Sequence, residues 1–336
     1  MPGPFVHDID PVIAEVGGAC LWWYGLSYSL GFLELLFYLR RRRHEIGLTL
    51  NEVYSLTLLF MAGVLVGGRA VEVAFDEWPF YRDHVALIPA YWLGGMATHG
   101  LLAGAAAAIW TFCRAYGHPI RGIADALVLP GAFFLGVGRI GNFIDGQIVG
   151  SVTDVWWAVQ FPDAEGFRHP VVLYDGLKNL ALIPLLIWIG RRRPIPGARS
   201  AHFVFWYAFL RLFVDLFRDY PSHRLALGTG QTLNIVMAAI GVALIVRSEL
   251  RWRGWTKGTG PRERAGRASA PGHLAFKRAA FAALLLFCLM IPGNWTQDVP
   301  ARYGKRHAGL RHSALYPAID TAPPGLSATA GSHSTR

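Results

Sequence analysis

The sequence predicts an all-α fold: a polytopic membrane helical bundle with seven transmembrane helices, its N-terminus outside, and an eighth helix in question near the C-terminus. Three observations carry this. Of the 336 residues, 53% are hydrophobic and only 16% are charged. Mostly apolar stretches of about 20 residues recur, the length that crosses a bilayer core as helix. Arginines gather in short clusters after alternate stretches, as they do in cytoplasmic loops. Lipid offers the backbone no hydrogen bonds, so each stretch is expected to be helical.

The candidate spans run over 13–38, 52–73, 86–113, 122–142, 171–190, 201–218 and 230–248. Arg40 to Arg43 follow the first, Arg114 and Arg121 the third, Arg191 to Arg193 the fifth, and Arg247, Arg251 and Arg253 the seventh. The other connections, DEWPFYRDH, SVTDVWWAVQFPDAEGFRH and RDYPSHR, are mixed or acidic. Odd spans are therefore expected to end in the cytoplasm. The N-terminal segment lacks a basic region ahead of its apolar stretch, so it is not expected to be a cleaved signal peptide. Trp156, Trp157 and Phe161, in the longest outer connection, suit the headgroup level. Residues 1–248 thus form a transmembrane domain, and 249–278, basic and rich in Gly and Pro, read as a cytoplasmic linker. The stretch 279–293 reads either as an extra span or as a surface helix. Residues 294–336 read as a polar tail, disordered from about 318.

A net charge of +10 would suit nucleic acid, but the arginines sit between apolar stretches, where they anchor the chain to a bilayer. No nucleic-acid role is expected. Cys20, Cys113 and Cys288 fall in or beside different spans, with neither metal spacing nor an evident pairing. No G-x-S-x-G elbow, paired-histidine zinc motif or nucleotide loop is found, and no convincing strand is predicted. No metal or cofactor is expected.

A charged side chain in hydrocarbon costs at least ~2.5–3.5 kcal/mol on insertion scales. Yet Arg69, Glu72, His99, Arg139, Asp175, Lys178, Arg211 and Asp215 all lie in or at the ends of predicted spans, nearly all toward the outer half. They read either as structural ion pairs or as the lining of a functional cavity. Arg139 stands among Gly138, Gly141 and Asn142, where a ligand can approach closely, and a guanidinium suits phosphate. Arg211 lies four residues from both Tyr207 and Asp215 on one helical face, so it reads equally as an intrahelical pair or an anion binder. His99, in GGMATHG, is either a satisfied core group or a proton acceptor near two arginines. Tyr24 and Tyr28, in WWYGLSY, suit an interfacial belt. Gly94, Gly95, Gly100 and Gly104 offer close backbone packing.

GRIGNF (138–143), with Gly146 and Gly150, resembles the signature of the bacterial phosphatidylglycerol–prolipoprotein diacylglyceryl transferases. Colinear blocks carry the likeness over about 8–248: DIDPVI, WYGLSY, NEVYSL with LVGGR, GGMATHG, RHPVVLYDG, YAFLRLFVDLFRD and GQTLNI. The resemblance implies a multi-pass enzyme of the bacterial inner membrane. It would move the sn-1,2-diacylglyceryl group of phosphatidylglycerol to the lipobox cysteine of a prolipoprotein still bearing its signal peptide. The product is a thioether, glycerol 1-phosphate leaves, and no cofactor is implied. By motif, Arg139 and Asn142 hold the lipid headgroup, Arg211 engages the phosphate, and His99 is a candidate base. Tyr24, Tyr207 and Gly150 match further motif positions. The sequence departs in one place. Where the family usually reads Asn and then Glu, this chain has Asp145 and Gln147, which suggests that amide and carboxylate have exchanged roles. Two other readings stay open on the residues: a non-enzymatic lipid-binding membrane protein, and an inactive paralogue.

Overall fold

The computed structural model describes residues 5–219, 229–254, 273–293 and 298–319. Most of them are helical: α1 (Trp23–Ile46), α2 (Leu50–Val71), α3 (Trp78–Tyr81), α4 (Thr98–Tyr116), α5 (Ile120–Asp145), α6 (Val171–Arg192), α7 (Ala198–Asp215), α8 (Thr229–Arg253), α9 (Leu274–Leu289) and α10 (Val299–Tyr303). Four stretches are long and apolar enough to cross a membrane: Leu50–Asp76, Ile120–Asp145, Val171–Arg192 and Gly230–Arg253.

The fold is not purely helical. Short strands β1 (Phe5–Val6), β2 (Val12–Val16), β3 (Ala19–Trp22), β4 (Val159–Gln160) and β5 (Phe167–Arg168) form two small sheets. β2 and β3 pair antiparallel, β1 runs parallel to β4, and β4 pairs antiparallel with β5. The apolar run from residue 13, expected to open the first span, is therefore this hairpin, and α1 starts only at Trp23. Its branched residues Val12, Ile13 and Val16 favour strand, and Gly17 and Gly18 make the turn. The span expected from 86 likewise starts late. Residues 85–93 form two short 3-10 turns, and α4 begins at Thr98.

Helix α2 opens on a capping box: Thr49 Oγ1 accepts from the Glu52 amide at 3.2 Å, and the Glu52 carboxylate accepts from the Thr49 amide at 2.8 Å. It then packs along α4, while α1 packs on α5, α5 on α6, α6 on α7, and α7 on α8. The α2–α4 seam is backbone on backbone. A Cβ at Gly63 would strike the Gly104 carbonyl, and one at Gly67 the Gly100 carbonyl. Gly100 and Gly104 thus give the close packing expected of them. Gly94 and Gly95 instead turn their carbonyls to Arg69, which also bonds the carbonyls of Leu87, Ile88 and Ala90. Arg69 clamps the α3–α4 connection.

The helices alternate in direction, and the two ends of the bundle differ in chemistry. At one end lie Arg40 to Arg43, Arg114, Arg121, Arg191 to Arg193, Arg251 and Arg253, near the ends of α1, α4, α5, α6 and α8. At the other lie Tyr24, Arg69, Thr98, Arg139, Asp175, Arg211 and Asn234.

Helix α8 runs on to Arg253, and α9 starts at Leu274, so the stretch read as a linker is helical at both ends. Helix α9 packs on α1 and α2. Lys277 Nζ donates to Asn51 Oδ1 and Ser55 Oγ, both at 2.7 Å, at the arginine-rich end. Cys288 and Leu289 press on Gly25 at the opposite end. The tail then folds back. Val299, Tyr303 and Tyr316 join Val12, Cys20, Trp22, Ala90 and Leu93 in one apolar cluster. The part of the tail expected to be disordered lies, from residue 320, outside the described residues. All three cysteines are free thiols and buried.

Candidate active site

Helix α5 ends where its polar signature begins. Gly146, at φ 73°, takes the left-handed conformation that closes the helix, and its amide bonds the carbonyls of Asn142 and Phe143. The last turns of α5 therefore present Arg139, Asn142 and Asp145 to the polar end, and the chain turns back through Gln147. All four side chains are buried.

Arg139 is held by three elements. Its Nε lies 2.6 Å from Asp175 Oδ2 on α6. One terminal nitrogen donates to Asn142 Oδ1 at 3.0 Å, and the other to Thr98 Oγ1 on α4 at 3.2 Å. Gly141 lets α1 come close enough for Tyr24 to lie against this turn. A small cavity of about 20 Å³ lies here, lined by Tyr24, Tyr28, Thr98, Gly138, Arg139 and Asn142 over an apolar floor that includes Leu101 and Phe134. The hydroxyls of Tyr24 and Tyr28 share a 3.0 Å hydrogen bond.

Asp175 is the hub behind this cavity and is fully buried. Besides Arg139 it meets Lys178 Nζ at 2.9 Å and Arg211, from α7, at 2.5 Å. Arg211 also pairs with Asp215 at 3.3 Å, which Arg218 approaches to 3.7 Å. Two carboxylates thus serve four basic side chains, and positive charge predominates in this cluster. Such a field suits an anion. The intrahelical Arg211–Asp215 pair is present, and so is the bond to a second helix that the pair alone would not require.

The remaining candidates fall at different distances from the cavity. Tyr207 lies under Lys178, whose ammonium stands 4.1 Å from the ring centre. Arg211 does not line the cavity; it reaches Arg139 through Asp175. His99 sits in the first turn of α4, next to Thr98, but faces Asn234 of α8 and the charges of Arg211, Asp215 and Asp76. Gly150 lies apart, in the connection to α6, where its amide donates to the His169 carbonyl at 3.1 Å and its carbonyl accepts from Arg168 at 3.2 Å. Trp156 and Trp157 of that connection are exposed.

Asp145 and Gln147 belong to a relay. Asn142 Nδ2 donates to Gln147 Oε1 at 3.2 Å, and Gln147 Nε2 donates to Asp145 Oδ2 at 3.0 Å. The same oxygen accepts from the hydroxyl of Tyr303 at 3.1 Å. Burial, and then the charge of Asp145, push the Tyr303 phenol well above its ordinary range, so it stays a donor. Thr98, Tyr303 and the hub role of Asp175 were not among the expected site residues. Asp175 was visible as a charge in an apolar stretch; a threonine beside a histidine and a tyrosine in a polar tail carry no such signal. Among the described residues, no three His, Cys, Asp or Glu side chains gather as a metal site.

Fold and site together define a helical membrane protein with a small cavity at one end of its bundle, lined by Arg139 and backed by a cluster of basic side chains around Asp175. Residues 11–247 match the family described as prolipoprotein diacylglyceryl transferase, and the chain belongs to that family. Among its relatives, the phosphatidylglycerol–prolipoprotein diacylglyceryl transferase of Pseudoalteromonas atlantica is 34% identical over 249 residues, 71% of this chain and 89% of that protein. The enzyme of the same name from Legionella pneumophila strain Lens is 34% identical over 261 residues, covering 74% and 98%. That of Aromatoleum aromaticum is 36% identical over 250 residues, covering 71% and 95%.

Proposed function

We propose that this chain transfers the sn-1,2-diacylglyceryl group of phosphatidylglycerol to the lipobox cysteine of prolipoproteins, in the inner membrane of a bacterium. One observation carries the site assignment: Arg139 and Arg211, on separate helices, converge on Asp175 behind a small cavity where the spans end. The family membership and the names of the relatives support the reaction. In this reading seven helices cross the bilayer with the N-terminus outside, the arginine-rich end is cytoplasmic, and the cavity opens toward the outer leaflet. Residues 1–248 carry the catalytic domain. Helix α9 makes an eighth crossing beside α2, which brings the tail to the outer face.

The chemistry follows from the charges. A thiol is a weak nucleophile until it loses its proton. His99 takes that proton, and the cationic cluster favours the thiolate. The sulfur attacks the glyceryl carbon that bears the phosphate, a carbon–sulfur bond forms, and the carbon–oxygen bond breaks. The electron pair leaves on the oxygen of glycerol 1-phosphate. Arg139 and Asn142 hold the headgroup, and Arg211 steadies the charge gathering on the departing phosphate. Tyr24 lines the wall beside them, Tyr207 supports Lys178 behind Asp175, and Gly150 shapes the outer connection on the substrate side. Asp145 and Gln147 keep one carboxylate and one amide in the signature turn, with their roles exchanged.

The test is direct. The purified chain in phosphatidylglycerol vesicles, given a lipobox peptide, is expected to add one diacylglyceryl group to the cysteine, read by mass. Arg139→Ala is expected to insert normally and lose roughly 10²–10³-fold in rate, as when a preorganised donor to a developing oxyanion is removed. A wild-type chain that leaves the peptide unmodified rejects the reading.

A further inference from the structure

The relay from the cavity does not stop within the catalytic domain. It ends on the tail, beyond residues 11–247, the part matched to the family. Tyr303 is fully buried, its ring tilted against that of Trp22 with centres 4.8 Å apart, and its hydroxyl donates to Asp145. Three residues on, Arg306 donates to the Asp145 carbonyl at 2.9 Å and to those of Ile144 and Ile9, both at 3.3 Å. Gly293 packs against both Asp145 and Gln147, close enough that a side chain there would collide with them. This tail segment, residues 298–319, forms a strap that is fixed elsewhere by Tyr316, whose oxygen accepts from the Cys20 amide at 2.9 Å, and by His307, which meets Asp10 at 2.8 Å.

Every bond in this relay points toward Asp145. A carboxylate only accepts hydrogen bonds. With the carboxylate at 145, Gln147 must present its amino group to it and its oxygen to Asn142. Asn142 must then spend its amino group on Gln147, which leaves its own oxygen for Arg139. The order of donors is set from the Asp145 end, where the strap supplies Tyr303.

We propose that Tyr303 is a positioning residue of this enzyme: through Asp145, Gln147 and Asn142 it fixes the orientation of Arg139, so the C-terminal strap completes the headgroup site. This rests on the transferase reading given above. It also gives the exchanged pair at 145 and 147 a physical setting, since the carboxylate falls where the strap's donors can reach it.

The experiment is a double-mutant cycle on the full chain in phosphatidylglycerol vesicles, with Tyr303→Phe, Asp145→Asn and the pair. Tyr303→Phe keeps the ring on Trp22 and removes the hydroxyl alone. It is expected to lower kcat/KM for the lipid roughly tenfold, the scale of one hydrogen bond to a charged group. It should raise KM for the lipid and leave KM for the lipobox peptide unchanged. A purely structural role would shrink the active fraction and move neither KM. In the Asp145→Asn background the same change is expected to have no further effect. Arg306→Ala, which keeps both rings of the Tyr303–Trp22 contact and removes the guanidinium lying 5.7 Å from the Tyr303 ring centre, is expected to raise the same KM. Wild-type kinetics in both variants, or a Tyr303→Phe loss that multiplies with that of Asp145→Asn, overturns the proposal. If wild-type protein transfers nothing, the transferase reading fails by itself. Binding to phosphatidylglycerol over phosphatidylcholine vesicles then reads the relay: weaker binding by Tyr303→Phe upholds it, and unchanged binding rejects it.

Discussion

A single carboxylate, Asp175, touches a guanidinium from α5, another from α7 and an ammonium from its own helix. Buried charges are tolerated only when paired, and breaking such a group by removing one member costs about 3–5 kcal/mol. Asp175→Asn is therefore expected to lower thermal stability, because three cations lose their common counter-ion. A phosphodiester brings a negative charge to the same cluster, so the loss should be smaller in phosphatidylglycerol than in phosphatidylcholine vesicles. Equal losses in both would argue that no anionic headgroup reaches the arginines. The residues of this cluster were legible one by one, because a charge within an apolar run is costly and stands out. Their sharing was not. Arg139, Asp175 and Arg211 come from three helices, and no periodicity within a helix says which neighbour each will face.

Elements were read best where one signal acted alone. The apolar lengths of α2, α5, α6 and α8 and the glycines of the α2–α4 seam behaved as their chemistry dictates. The hairpin of β2 and β3 is hidden in the sequence because its mostly apolar run, interrupted only by Glu15, Gly17 and Gly18, leads straight into α1, so length conceals the change of structure at Trp22. The strap is hidden in the sequence because its apolar residues, Val299, Tyr303, Leu310, Leu315 and Tyr316, are spread thinly among charged and polar ones, with only Val299 and Tyr303 at a helical spacing. Its docking carries a pH dependence. His307 hydrogen-bonds Asp10 and Glu15, and the Asp10 bond above all holds its pKa over the ordinary 6.5. A raised folded-state value stabilises fully below 6.5, and the gain disappears as pH rises through that raised value. Limited proteolysis of the tail is expected to quicken from mildly acid to alkaline pH in wild type and to lose this dependence in His307→Gln. A wild-type rate flat across that range would remove His307 from the anchoring of the strap.

For the molecule as a whole, the path of α9 decides on which side the strap lies. Lys277 begins at the arginine-rich end, and Leu289 arrives beside Gly25, at the end that holds the cavity. At ~1.5 Å per residue a helix of this length covers most of a bilayer core. Lys305 is exposed on the strap, so Lys305→Cys is expected to react with a membrane-impermeant maleimide from the outer side of intact spheroplasts. Labelling only after permeabilisation would place the tail inside and contradict the crossing. The background in such an assay is low, because Cys20, Cys113 and Cys288 are all buried. That burial has a chemical consequence. The proposed donor alkylates sulfur, and a catalyst that handles such an electrophile is exposed to modifying itself. Here each native thiol is walled off by packing, so the incoming peptide brings the one sulfur free to be lipidated, and the protein does not become its own substrate.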